Sequence, residues 1–295
     1  MDMPVNQQLQ DRIKHIANLP TLPQVASRLM KIINDPLTSS SDVAFVVGQD
    51  LSLSAKILRL ANSAFYGIPR SITNINNAVV VLGLKVINTM VLSLTVFDMF
   101  PEDRRSRSLF DRKAFWVHSL ACGLFAKKLA ARVKKFVLFD PEEAFCAGLL
   151  HDIGKVVMEQ YLHEDFHNAL KYARTEKKDM FTSEKETLGY THTEVAQWLT
   201  SGWGLPMEIE LPVVNHHDPA ISVQCADIVT LCHYADWLCY DTGNVIDKAY
   251  PAPELDEISI GHLRISEADI QKIKEQLVEE LEKTTVFYDV ASGKK

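Results

Sequence analysis

Apolar residues recur along most of this 295-residue chain at the spacing of an amphipathic helix. Val25, Leu29 and Ile32 form one such stripe, and a second runs from Leu53 to Ala61. Residues three and four positions apart lie on one face of a helix, whereas a strand presents every second residue to one side. Alternating patterns are scarce, and short polar or proline-containing joints separate the stripes. The sequence therefore predicts an all-α fold, a bundle of many helices.

The apolar run from Ala144 to Leu150 ends abruptly in the polar string His151-Asp152-Ile153-Gly154-Lys155. A buried carboxylate needs a partner, because an isolated charge in an apolar interior has lost its hydration. A metal ion can be that partner, since imidazole and carboxylate are both good ligands for first-row divalent cations. One His-Asp pair cannot hold a metal alone. We therefore expect further ligands elsewhere in the chain.

Other polar residues lie on predicted helices that are otherwise apolar. Together with the first pair they comprise five imidazoles and two carboxylates: His118, His151, Asp152, His192, His216, His217 and Asp236. This set suits two five- or six-coordinate ions that share one bridging carboxylate, with iron or manganese fitting ligands of this type. The other histidines are interpreted as solvated surface, except His233, which is left unassigned; they are His15, His163, His167 and His262.

Capping signals indicate where two of these helices begin. A long helix with a histidine near its start begins at Ser108 or Asp111. Thr191 followed by Glu194 is close to a capping box, in which the two side chains bond each other's backbone N–H groups. This places His192 in the first turn of its helix.

Composition excludes several other classes of protein. A formal net charge of -7 argues against nonspecific binding to nucleic acid or anionic lipid. Five cysteines without a Cys-x-x-Cys pair predict neither a disulfide framework nor a cysteine zinc site. The most apolar segment, 78–97, is interrupted by Lys85 and Asn88 and is interpreted as a buried helix pair. The first residues do not resemble a signal peptide, so we expect a cytoplasmic protein.

Four strings of the first half resemble the signature of the HDOD domain, a bacterial output domain related to the HD metal-dependent phosphohydrolases. They are Leu19-Pro20-Thr21-Leu22-Pro23, Asp50-Leu51-Ser52, Leu58-Arg59-Leu60-Ala61-Asn62-Ser63 and Ala78-Val79-Val80-Val81-Leu82-Gly83. The resemblance covers about residues 16–237. It implies an all-helical HD-like fold and a role in signal transduction. It does not imply catalysis, because many HDOD members resemble HD enzymes that lack metal ligands.

The resemblance also implies how the seven candidate ligands divide between two divalent ions. In the matching order of the HD superfamily, one ion is held by His118, His151, Asp152 and Asp236. Asp152 bridges to the second ion, which is held by His192, His216 and His217. Such a pair of ions activates water and clamps a phosphate oxygen for in-line attack on a phosphoester.

Three further residues have two interpretations each. Lys155 neutralises phosphate or transition-state charge beside the catalytic Asp152, or is a surface lysine with its stem on apolar residues. Asp218 is an acceptor that orients a ligand, or a turn residue before Pro219. Glu186 is a weak candidate for a ligand or base, or an exposed helix acid.

The chain departs from the related HD-GYP enzymes, which cleave cyclic dinucleotides. Those enzymes carry a glutamate and then Gly-Tyr-Pro soon after the paired histidines. Here Asp218-Pro219-Ala220-Ile221 occupies that place. The sequence therefore argues against hydrolysis of cyclic di-GMP.

Two functional hypotheses follow from these patterns. The first is a phosphohydrolase acting on a nucleotide-like phosphomonoester or phosphodiester. The alternative is a non-catalytic interaction module with a structural or vestigial metal site. In it the N-terminal half would contact signalling proteins, with the segment from Asn62 to Gly67 exposed for binding. Neither DNA nor membrane is expected as a partner.

The expected organisation has three parts. Residues 1–101 form an N-terminal helical half, and residues 102–240 form an HD-like half with the metal site. Residues 241–295 form a loop and a C-terminal amphipathic helix, whose apolar stripe includes Ile270, Ile273 and Leu277.

Overall fold

The computed structural model describes residues 7–13, 16, 20–33, 35–101, 109–133 and 139–293, apart from the side chains of residues 7, 8, 11 and 279. Within these residues every regular element is helical, so the prediction of an all-α fold is confirmed. Predictions that rest on His15, Leu19 or Ser108 fall outside the described residues. The helices are α1 (Gln7–Ile13), α2 (Gln24–Ile32), α3 (Ser40–Val47), α4 (Leu51–Ala61), α5 (Ile75–Leu82), α6 (Leu84–Met99), α7 (Arg112–Val133), α8 (Pro141–Leu150), α9 (Ile153–Tyr161), α10 (His163–Glu176), α11 (Met180–Leu188), α12 (His192–Thr200), α13 (Met207–Asn215), a short 3-10 helix (Pro219–Ile221), α14 (Ala226–Asp241), α15 (Glu257–His262) and α16 (Glu267–Ala291).

The chain divides into two compact units. The first comprises Met1–Pro20 and Asp103–Glu275, and the second comprises Thr21–Glu102 and Gln276–Lys295. All seven candidate metal ligands belong to the first unit. The C-terminal segment 241–295 contributes residues to both.

Helices of the second unit begin at polar caps, as their sequences suggest. Ser39 and Asp42 form a capping box at α3, and the Asp50 carboxylate caps α4. Asn74 caps α5 in the same way. In the described part of the chain no single helix is long and apolar enough to cross a membrane. The pair α5 and α6 meets that criterion together, by length and composition only, but is bent by 119°.

The segment predicted as a contact surface, from Asn62 to Gly67, is held by hydrogen bonds within the second unit. The Asn62 amide donates to the carbonyl of Ile72 at 2.8 Å and accepts from its N–H at 2.7 Å. The rings of Phe65 and Tyr66 meet edge-on at 5.0 Å, and both side chains are half-buried. Because neither ring is fully buried, the segment keeps surface that a partner could contact.

The helix starts of the first unit follow the capping signals. The α7 helix begins after Asp111, whose Oδ1 accepts from the Ala114 N–H at 2.9 Å. Thr191 and Glu194 form the expected capping box, with the Thr191 N–H donating to Glu194 Oε2 at 2.8 Å. His192 is therefore the first residue of α12.

Glycines allow the site-bearing helices to approach closely. A Cβ on Gly148 of α8 would lie 2.8 Å from the carbonyl oxygen of Cys122 on α7. A Cβ on Gly154 of α9 would lie only 1.9 Å from the carbonyl oxygen of His192 on α12. Both distances are shorter than a van der Waals contact. Any larger residue would therefore force these helices apart.

Candidate metal centre

The predicted ligands come from helix ends and helix faces that meet in the first unit. His118 lies on α7 and Asp236 on α14, while His151 and Asp152 form the junction between α8 and α9. His192 starts α12, and the remaining two follow the end of α13. Six of the seven residues are buried, and His217 is half-buried. The structure thus brings together residues that are far apart in the sequence.

Asp152 lies between two groups of histidines. Its Oδ1 is 3.1 Å from Nε2 of His192 and 3.7 Å from Nε2 of His216. Its Oδ2 is 3.3 Å from Nε2 of His151 and 3.6 Å from Nε2 of His118. The two oxygens of one carboxylate therefore face different histidines, which is the arrangement that a bridging ligand requires.

Asp236 completes the first group. Its Oδ1 is 3.2 Å from Nε2 of His118 and 3.6 Å from Nε2 of His151. Ligand atoms of His118, His151 and Asp152 also lie within 4.8 Å of one another. Two imidazoles and two carboxylates are therefore available to one ion.

His217 completes the second group. Its Nε2 is 3.2 Å from Nε2 of His192. The ligand atoms of Asp152, His192, His216 and His217 all lie within 4.8 Å of one another. Three imidazoles and one carboxylate oxygen are therefore available to a second ion.

Several of the buried ligand atoms have no hydrogen-bond partner among the residues that the structure describes. They are Nε2 of His118, His151 and His216, and Oδ1 of Asp152 and Asp236. Leaving one such atom unpaired costs about 1–3 kcal/mol. Five unpaired atoms at one place indicate a common binding partner. A divalent cation can accept lone pairs from nitrogen and oxygen atoms together. The donor set therefore fits first-row divalent metal ions.

The other ring nitrogen of each of these histidines is fixed by a hydrogen bond. A backbone carbonyl beside Nδ1 keeps the proton on that nitrogen and leaves the Nε2 lone pair toward the centre. The carbonyls are those of Asn244 for His118 (2.8 Å), Gly148 for His151 (2.7 Å) and Pro212 for His216 (3.1 Å).

The electrostatics of the centre differ between its two groups. Burial lowers the pKa of His216 to about 4 and also holds the pKa of His217 well below its usual value. Both imidazoles are therefore neutral near pH 7, as a metal ligand must be. Burial acts in the same direction on His118, but the nearby negative carboxylates of Asp152 and Asp236 outweigh it and raise the pKa of His118 to about 9. A cation and a proton therefore compete for Nε2 of His118.

Lys155 is buried beside the centre. Its Nζ donates to Oδ2 of Asp152 at 2.6 Å. Burial alone would lower the pKa of Lys155, but the Asp152 charge outweighs burial and raises it. The interpretation as a surface lysine is therefore wrong, and a permanent positive charge lies next to the carboxylate between the two groups.

Glu184 is a further candidate site residue, which the sequence analysis does not single out. Its buried Oε2 lies 2.6 Å from Nδ1 of His192 and accepts from the His192 N–H at 2.7 Å. A carboxylate in this position fixes the tautomer and the orientation of a metal-binding imidazole. The signal was present, because Glu184 lies four residues after the buried Met180 on the inward face of α11.

Replacing Glu184 by alanine is expected to weaken metal binding about 10–100-fold, because His192 loses the group that orients it. Calorimetric titration of the protein with Mn²⁺ measures this affinity. Glu186→Ala is the matched control, since Glu186 is exposed on the same helix. Equal affinities for the two variants would remove the positioning role of Glu184.

The weaker candidates lie outside the ligand groups. Glu186 is exposed and bonded to Lys178 at 2.8 Å, as an ordinary helix acid would be. Asp218 is exposed in a turn, with its N–H donating to the carbonyl of Asn215 at 2.9 Å. The buried His233 is bonded through Nδ1 to the carbonyl of His216 at 2.7 Å. His233 therefore supports the backbone of a candidate ligand.

Comparison with known proteins gives a family match over most of this chain. The sequence pattern of the HDOD domain matches residues 19–219. A Treponema pallidum (strain Nichols) protein of uncharacterised function is 25% identical over 204 residues, which are 69% of this chain and 38% of that protein. This chain therefore spans well under half the length of that relative.

Solved structures share the fold over nearly the whole chain. An HDOD domain protein of unknown function from Geobacter sulfurreducens is 26% identical, with a TM-score of 0.81 and coverage of 95% of this chain and 97% of that one. A candidate phosphohydrolase from Shewanella amazonensis SB2B is 22% identical, with a TM-score of 0.73 and the same coverage. A candidate signal transduction protein from Marinobacter aquaeolei VT8 is 21% identical, with a TM-score of 0.78 over 98% of this chain and 67% of that one. The family match over most of the chain establishes that this protein belongs to the HDOD domain family.

Proposed function

We propose that this protein is a metal-dependent phosphohydrolase that acts on a nucleotide-like phosphomonoester or phosphodiester. The observation that carries the proposal is the convergence of five unpartnered, buried ligand atoms around Asp152. One ion, manganese or iron, would be held by His118, His151, Asp152 and Asp236. A second would be held by Asp152, His192, His216 and His217. The Shewanella protein of the same fold, described as a candidate phosphohydrolase, is consistent with this chemistry.

Two bound divalent ions would supply an activated water molecule and a clamp on a phosphoryl oxygen. The chain's own residues prepare the place for this chemistry. Asp152 supplies one carboxylate oxygen to each group of histidines. Lys155 holds a positive charge within hydrogen-bond distance of that carboxylate, where it can offset negative charge on a bound phosphoryl group. Five of the other six ligands are buried, and His217 is half-buried, which limits the access of bulk water to these charges.

Metal analysis and hydrolysis assays test the proposal together. Protein purified without chelator is expected to contain at least about one metal ion per chain, since a site with these ligands binds tightly at neutral pH. With added Mn²⁺ or Fe²⁺ it is expected to hydrolyse p-nitrophenyl phosphate, bis-p-nitrophenyl phosphate or a member of a nucleotide panel. Absence of metal together with absence of turnover would remove the proposal.

Removing the metal is expected to destabilise the protein. A ligand present at 100 times its Kd adds about 2.7 kcal/mol when it binds the folded state alone. In a domain of the size of the first unit this lowers Tm by about 5 °C or more on chelation. Thermal unfolding with and without EDTA, followed by readdition of Mn²⁺, measures the shift. An unchanged Tm would speak against metal binding to the folded state.

A non-catalytic interaction module is the second candidate, favoured by the surface of the second unit. Leu37, Phe45, Leu51 and Val80 are large apolar side chains that are 65–89% exposed. Exposed apolar surface of this kind is common at sites of protein association. The two candidates differ in a complementation assay. A module would tolerate Asp152→Asn combined with Lys155→Met, which leaves no unpaired buried ammonium, and would fail with Phe45→Glu. An enzyme would fail with the double variant.

A further inference from the structure

A cavity of about 490 Å³ lies beside the candidate metal centre in the first unit. This volume is within the range of small-molecule binding pockets. One wall is the α11 helix, and the others are a ligand histidine and the segment before α15. The lining residues are Asp179, Phe181, Thr182, Lys185, Glu186, His217, Pro253 and Glu254.

His217 connects this cavity to the centre. It is the half-buried member of the seven candidate ligands, while the other six are buried. The atoms that His217, His216 and Asp152 offer to a cation lie within 4.8 Å of one another. Nε2 of His216 and Oδ1 of Asp152 are both buried and unpartnered. A substrate whose phosphoryl group reaches the centre past His217 therefore places its remaining atoms in this cavity.

The cavity wall carries more carboxylates than ammonium groups. Glu186 is bonded to Lys178, which neutralises its charge. The charged groups that remain on the wall are two carboxylates, of Asp179 and Glu254, and one ammonium group, of Lys185. One carboxylate oxygen of Asp179 caps the N-terminus of α11 by accepting a hydrogen bond from the Thr182 N–H at 2.9 Å. Within the described part of the chain the exposed carboxylate of Glu254 has no hydrogen-bond or ion-pair partner, so it is available to a ligand.

The metal centre and the cavity wall therefore favour ligand groups of opposite charge. Two divalent ions and Lys155 would attract a phosphate, whereas the wall repels additional negative charge. Phe181 is stacked on His217, with ring centroids 4.3 Å apart, and adds an aromatic surface between them. A ligand that matches all three features is anionic at one end and rich in N–H donors at the other.

We propose that the substrate is a phosphomonoester whose other end bears an amine or amino-substituted group, rather than a polyphosphate. The phosphate would lie at the metal centre, and the amine would face Glu254. This inference rests on the proposed function, since it takes the centre to be where the phosphoryl group binds. It adds the chemical class of the substrate, which the ligand set alone does not specify.

Three small phosphomonoesters isolate the effect of the distal group. O-phosphoethanolamine, ethyl phosphate and phosphoglycolate share the phosphate and carry an ammonium, a methyl and a carboxylate group respectively. Calorimetric titration of the Mn²⁺-loaded protein is expected to show the tightest binding for the ammonium and the weakest for the carboxylate. Because a partly exposed ion pair contributes about 0.2–1 kcal/mol, each step should be about threefold.

Charge variants locate the effect on the wall. Glu254→Lys is expected to reverse the order of the three probes, and Lys185→Glu to steepen it. Glu176→Lys changes the net charge as Glu254→Lys does, but Glu176 does not line the cavity, so the order should be unchanged.

Two results would overturn the inference in different ways. Equal affinities for the three probes, or an order that Glu254→Lys leaves unchanged, would remove the amine-binding wall while phosphate binding at the centre stands. Failure of the Mn²⁺-loaded protein to bind any probe or inorganic phosphate would remove the proposed function as well.

Discussion

Replacing Asp152 by asparagine is expected to abolish phosphoester hydrolysis and to reduce metal content to background. Asparagine has nearly the shape of aspartate, but its uncharged amide offers one weak ligand oxygen and an NH₂ group. The NH₂ group cannot bind a cation. Since the two oxygens of Asp152 face different histidines, the change removes a ligand from both groups at once. Loss of catalysis by at least about 1000-fold is expected, because in the proposed reaction two ions together would position and polarise the phosphate.

The same substitution affects stability through Lys155. The buried ammonium is bonded to Asp152 Oδ2 at 2.6 Å, and breaking a buried ion pair from one side costs about 3–5 kcal/mol. Lys155→Met in the Asp152→Asn background removes the unpaired charge and should recover much of this stability without restoring turnover. Stability by urea denaturation and turnover by p-nitrophenyl release therefore separate the two roles of Asp152.

Asp218→Asn is the matched control, since Asp218 is exposed in the turn after the paired histidines. It should keep both metal and activity. Full activity in Asp152→Asn protein, with correct folding shown by circular dichroism, would contradict the placement of the reaction at this centre.

The helices and their caps were predictable because they depend on local sequence. The stripe Ile270, Ile273 and Leu277 is buried on α16 as its spacing predicts. That helix continues to Ala291, well beyond this stripe, and Phe287 and Tyr288 near its end are also buried. The short helix α15 in the segment predicted as a loop was missed, although Asp256 caps it. None of its six side chains is buried, so the sequence contains no apolar stripe that would predict this helix.

The candidate site was predictable only in part. Helical segments that are otherwise apolar made histidine and aspartate stand out, and the structure brings all seven together. Glu184 did not stand out, because α11 carries two glutamates and only the helix register distinguishes Glu184 from Glu186. The cavity wall was beyond sequence reasoning, since Glu254 approaches α11 through the tertiary fold. His118 is oriented by the backbone carbonyl of Asn244, and a backbone group cannot be recognised from the residue type.

Gly154→Ala is expected to be the most destabilising single-methyl change in the first unit. The added Cβ would lie 1.9 Å from the carbonyl oxygen of His192 and 2.7 Å from its carbonyl carbon. Backbone atoms cannot rotate away as a flexible side chain can, so α9 and α12 must separate. Overpacking a rigid core typically costs 1–3 kcal/mol, and a clash this short should cost at least about 3 kcal/mol.

This separation should also weaken the metal site, because His192 begins α12 and Asp152 immediately precedes α9. Mn²⁺ affinity is therefore expected to fall together with the urea midpoint. Gly202→Ala is the matched control, since a Cβ there would meet no atom within 4 Å and the backbone angle is compatible with alanine. A Gly154→Ala protein within about 0.5 kcal/mol of the Gly202→Ala control would show that α9 and α12 can part without cost. The close approach would then not be what holds His192 against Asp152.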